Sequence, residues 1–183
     1  MEPYSLYIEQ SSFDGVSYTY GTLLDTYTQW GILCAESPYR PAGDPKDVAT
    51  RDWLDEHGLD VYIPQDTKLK HFDIEYTFLC VGSEADVKAS VMDFYQFLCG
   101  KASTINQKSI ASVGSRLILF DEYTGRGWKD VRLKSFSPDA FVMDNSDDEI
   151  KLRFKVTFTV YDPVTPISIA KINNNTRLMI GRW

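Results

Sequence analysis

The run from residue 150 to 160 constrains this chain more than any other feature. Ile150, Leu152, Phe154, Val156, Phe158 and Val160 alternate with Lys151, Arg153, Lys155, Thr157 and Thr159. Side chains alternate across an extended strand, so the pattern predicts one long strand with a single buried face. Its outer face is basic, then threonine-rich. Asp162-Pro163 stops it, because proline has no N–H for a ladder and restricts the residue before it.

A second strand is predicted over 71–81. Phe72, Ile74, Tyr76, Phe78 and Cys80 share one face, and Asp73, Glu75 and Thr77 the other. The two outer faces carry opposite charge. Antiparallel pairing would set Asp and Glu against Lys and Arg, at about 0.2–1 kcal/mol per pair. Between the strands the sequence predicts one helix over about 83–99. Ser83 with Asp86 forms a capping box, Val87, Val91, Phe94, Tyr95 and Leu98 make one apolar stripe, and Gly100 fits the position that closes a helix. Residues 101–115 read as a loop or a short irregular strand. Then come a short apolar strand (116–120), a turn holding Gly125 and Gly127, and a strand from Trp128 to Phe136. Ser137-Pro138 is expected to break that strand before a short piece at 141–143, and Asp144 to Glu149 reads as an acidic turn.

The first 69 residues are less regular. Phe13-Asp14-Gly15-Val16 suggests a tight turn, and Gly31-Ile32-Leu33-Cys34 a strand. A long loop is expected at about 36–60, and loops beyond ~12–15 residues are usually functional. At 183 residues the chain suits a single domain: an N-terminal arm and loop (1–69), a strand–helix–hairpin–strand core (70–163) and a C-terminal extension (164–183). The fold class expected is α+β, mainly β. It is a split β-barrel or sandwich of antiparallel strands with one packed helix and a long N-terminal loop.

Composition narrows function by exclusion. Hydrophobic residues make up 43% and charged residues 25%, which speaks against disorder. A net charge of −7 opposes general nucleic-acid binding and suits a protein that must repel a polyanion. The N-terminus has no signal-peptide pattern, and no run approaches the ~18 apolar residues of a membrane span. Three widely spaced cysteines suggest buried free thiols in a reducing compartment. His57 and His71 have no ligand-spaced partners, so no metal or cofactor is expected. The acidic run 144–149 lacks the spacing of a calcium loop, and no nucleophile elbow or phosphate loop is present, so no enzyme motif emerges.

The stretch from Lys70 to Pro163 resembles the N-terminal domain of phage distal tail proteins and, more loosely, tail tube proteins. The likeness rests on Phe72-Asp-Ile-Glu-Tyr-Thr-Phe78, the helix end Phe94-Tyr-Gln-Phe-Leu98, Leu117-Ile-Leu-Phe-Asp-Glu122, Val131-Arg-Leu-Lys-Ser-Phe136 and Phe154 to Pro163. It implies a structural, non-enzymatic protein whose copies, six in number, form a ring at the junction of tube and baseplate. The implied partners are other tail proteins, with DNA passing through the lumen unrecognised and no membrane. The implied location is the virion tail, after assembly in the host cytoplasm. Many distal tail proteins carry a second, carbohydrate-binding-like domain. About 20 residues follow Pro163, so the expectation is ring formation rather than host adhesion.

Aromatic residues on long irregular segments are the candidate interface: Tyr39 and Trp53 in the long loop, Tyr123 and Trp128 at the 122–127 turn. The alternative function is a small β-rich ligand- or carbohydrate-binding module stacking its ligand on Trp30, Trp53, Trp128 or Trp183.

Overall fold

A computed structural model describes residues 4–52, 54, 57–105, 109–144, 149–164, 167–172 and 175–180. The predicted long strand is β10 (Glu149–Asp162), and all six of its alternating apolar side chains are buried. It pairs antiparallel with β7 (Phe72–Gly82) over eleven residue pairs, from Ile150 opposite Gly82 to Val160 opposite Phe72. The expected charge pairing forms on the outer face between Lys155 Nζ and Glu75 at 2.9 Å, while Asp73 bonds instead with Lys134, which lies outside these two strands. Thr77 departs from the expected exposure. It is buried because Glu36, on the next strand, accepts its hydroxyl at 2.9 Å and is itself paired with Arg153 at 2.6 Å.

The main sheet runs β2 (Tyr18–Tyr20), β1 (Leu6–Phe13), β8 (Arg116–Asp121), β9 (Arg126–Asp144), β10, β7 and β4 (Ile32–Glu36), with β3 (Leu24–Asp25) also paired to β1. Every pairing within it is antiparallel. At the β4 edge, Cys34 N donates to Tyr4 O at 3.1 Å, bringing that edge to the residues leading into β1. The predicted helix is α2 (Glu84–Leu98), capped as expected by Ser83, whose hydroxyl accepts from Asp86 N. Phe94 is wholly buried against Phe78 and Phe154. Phe97, absent from the predicted stripe, is buried too, while Tyr95 stays exposed.

Three readings of the sequence change. First, the N-terminal third contributes to the sheet: β1 lies between β2 and β8. Its pattern hides because Gln10 occupies a buried position. The Gln10 amide donates to Phe97 O (2.7 Å), which also accepts from Gly100 N in the closing turn of α2, and to Lys101 O (2.9 Å) just beyond the helix. A short helix, α1 (Thr26–Trp30), follows, capped by Asp25. Second, Pro138 does not end β9. It faces Phe154 where the β9–β10 register shifts, and the β8 pairing on the other side of β9 reaches no further than Val131, so the proline sits on an unpaired edge. Third, β11 (Ile167–Ile172) and β12 (Asn175–Ile180) form a hairpin after Pro163. Ile167 packs on Ile118 and Phe120, so β8 is buried on both faces, which explains its unbroken apolar run.

The expected long loop has structure of its own. Lys46 N bonds Lys68 O, Lys70 N bonds Asp44 O and Tyr62 N bonds Ala49 O. Strands β5 (Thr50–Arg51) and β6 (Asp60–Val61) pair beyond them. The described residues of the 44–70 stretch therefore form a two-stranded arm between β4 and β7 in the chain. The expected acidic turn at 144–149 falls largely on 145–148, outside the described residues.

Candidate subunit interface

The arm exposes apolar surface. Leu54, Leu59, Val61, Tyr62 and Ile63 are all exposed, Ile63 at 81%. Two antiparallel segments with so little apolar burial are not stable by themselves in water, so this run of exposed apolar side chains is the candidate interaction surface.

At the arm's root the structure brings two of the four candidate aromatics to one place. Tyr39 is 65% exposed, and Arg126, from the start of β9, lies over its ring at 5.7 Å and donates to its hydroxyl at 3.4 Å. Tyr123 is 79% exposed and packs against Tyr4 at 5.1 Å between ring centroids. Trp128 does not share this surface. It is buried, edge-on to Phe72 at 5.0 Å, because it lies on the inward face of β9 opposite Leu119. Trp53 lies outside the described residues, as does Trp183. Trp30 is buried against Phe94 and Phe97, with its indole N–H donating to Asp93 at 2.7 Å. Two of the four tryptophans proposed as stacking surfaces for a ligand are thus core residues.

Beneath the exposed aromatics lies a polar centre that the sequence reading missed. Asp121 ends β8 and is fully buried. One carboxylate oxygen accepts from the Tyr4 hydroxyl and from the backbone N–H of Tyr123 (3.0 Å) and Thr124 (3.3 Å), and the other accepts from the Ser37 hydroxyl. A buried carboxylate is tolerated when donors saturate it in this way. Burial, reinforced by the bond to Asp121, raises the Tyr4 phenol well above its ordinary range. Burial first, then the charge of Asp121, pushes the Cys34 thiol up to about 12 and raises the neighbouring Tyr76 phenol. These groups stay protonated at neutral pH and supply no nucleophile. Two more buried polar atoms, Thr124 Oγ1 and Trp128 Nε1, have no hydrogen-bond partner among the described residues. The signal for Asp121 in the sequence is slight: an aspartate closing an apolar strand, four residues before a glycine, is a turn pattern.

An open groove of 780 Å³ separates residues 38–44 from the outer edge of the sheet at Asp73, Ile74 and Glu75. No helix among the described residues is long and apolar enough to cross a membrane. No protein-family model and no curated protein matches the chain. A solved structure does: the crystal structure of Dit (gp 19.1) from SPP1, described as a paradigm of the hub adsorption apparatus in phages infecting Gram-positive bacteria. The two share 12% identity and a TM-score of 0.50, over 89% of this chain and 52% of that one. The chain spans about half the length of that structure, and the likeness is one of fold.

Proposed function

We propose that this chain is a structural protein of a phage tail, a distal tail or tube-like component whose copies close into a ring, six to the ring, between tube and baseplate. The observation that carries the reading is the shared fold with a phage hub protein across most of the chain, together with an arm whose apolar residues find too little cover within one copy. A cyclic ring uses heterologous contacts, so one patch meets a different patch on the neighbour. The arm, continuing from Tyr39 and the turn at Tyr123, is the projecting half of such a contact. The role involves no catalytic step and no cofactor. Other tail proteins are its partners, the assembled location is the virion tail, and assembly takes place in the host cytoplasm. The charge of −7 would keep DNA from adhering as it passes through the lumen.

The test is mass in solution. Lys46 and Lys68 face each other across the arm, so replacing residues 47–67 with an Asn-Gly turn trims it without opening the sheet. Light scattering after size exclusion should show the full chain growing to multiples of 20.9 kDa as concentration rises, with the trimmed chain monomeric. The same number of copies per particle for the two chains would overturn the reading.

A further inference from the structure

The geometry points to Asp121 as the positioning residue that sets the direction of the arm. The consequence for assembly rests on the reading above, but the positioning itself does not. One carboxylate holds three segments that are remote in sequence: Tyr4 ahead of β1, Ser37 where the chain leaves β4 for the arm, and the turn at Tyr123 and Thr124. These are the segments that carry the exposed ring of Tyr123 and lead directly to Tyr39. Tyr39 in turn meets Arg126, two residues beyond Thr124. A second tie lies nearby, where Arg40 sits over Phe72 at 4.6 Å and pairs with Asp44 at 3.0 Å, but that pair is exposed and screened. The Asp121 clamp is shielded from water, and its bonds to a charged acceptor are the stronger kind.

The chemistry of the clamp tells its members apart. Ser37→Ala removes the tie between Asp121 and the chain that leaves β4, together with the Ser37 hydroxyl's contacts to Tyr4 and Tyr76, and leaves the bonds from Tyr4, Tyr123 and Thr124 to Asp121. Asp121→Ala removes every tie. Asp121→Asn keeps them, since its amide oxygen accepts from Tyr4, Tyr123 and Thr124 while its amide nitrogen donates to the Ser37 hydroxyl. A variant that only weakens the core, Val87→Ala on α2, should not touch the arm.

Pulsed electron paramagnetic resonance measures the arm directly. Spin labels go on cysteines placed at the exposed positions Ile63, in the arm, and Met92, on α2, with the exposed Cys99 replaced by serine. At concentrations where the protein is monomeric, the unsubstituted clamp should give a narrow distance distribution. Ser37→Ala and Asp121→Ala should at least double its width, and Asp121→Asn and Val87→Ala should leave it unchanged. At higher concentration the first two should raise the concentration for half-assembly by at least tenfold. An equally broad distribution with the clamp intact, or equal broadening by Val87→Ala, overturns the proposal. If the unsubstituted chain never assembles, the ring reading fails while the distance widths still decide the role of Asp121.

Discussion

Glu9 shares the face of β1 that carries Tyr7 and lies opposite Ile118, and burial pushes its carboxyl up to about 7. The folded chain therefore holds a proton on Glu9 between about pH 4.5 and 7 that the unfolded chain has released. Stability must fall as pH rises through that window. Glu9→Gln should stabilise the protein more at pH 8 than at pH 5, by about 1–2 kcal/mol once residual solvent contact is allowed for. Melts at the two pH values check it, and an equal gain at both would contradict the burial. At Gly127 the limit is space. A Cβ there would lie 2.5 Å from the Cβ of Ile167, so Gly127→Ala should cost about 1–3 kcal/mol and loosen the β11–β12 hairpin, seen as faster amide exchange there than in β10. Single residues also show where sequence reasoning stops. Tyr39 and Tyr123 are exposed as expected, and only the fold could reveal that Arg126 joins one and Tyr4 the other. Trp128, expected as an interface aromatic at the base of the 122–127 turn, is core because it lies on the inward side of β9. Asp121 stayed hidden because its partners lie 84 and 117 residues away.

Among the elements, those with one dry and one wet face were legible. Strands β7 and β10 and helix α2 each bury a single stripe, and the period of that stripe is the period of the element. Val156→Asp, which buries an unpaired charge, should unfold the protein at a cost of several kcal/mol against a total of ~5–15. Lys155→Glu on the outer face should leave it folded, and thermal melts in the reverse order would invert the two faces. In α2, Ser83→Ala should cost ~0.5–2 kcal/mol through loss of the cap, and Phe94→Ala ~3–5 kcal/mol, measured by denaturant titration. The elements that escaped were governed by partners instead of period. The buried position of Gln10 in β1 is satisfied by α2, β9 continues through Pro138 because one edge is unpaired, and the arm pairs with itself across a long separation.

For the whole molecule, one mainly β sheet curls around a core fed by both of its ends and by α2, and a two-stranded arm leaves it between β4 and β7. A stable interface needs a buried apolar centre, and the arm, with Leu54, Leu59, Val61, Tyr62 and Ile63 exposed, offers apolar residues for one. If each copy places its arm on the next, rotation by a fixed angle closes a ring. If the rotation did not close, the same contact would run on as a filament. Electron microscopy of the concentrated full chain tests this most directly. The account predicts closed rings of six copies around a central opening, lost when residues 47–67 are replaced. Open filaments, or particles no larger than one copy at every concentration, would contradict it.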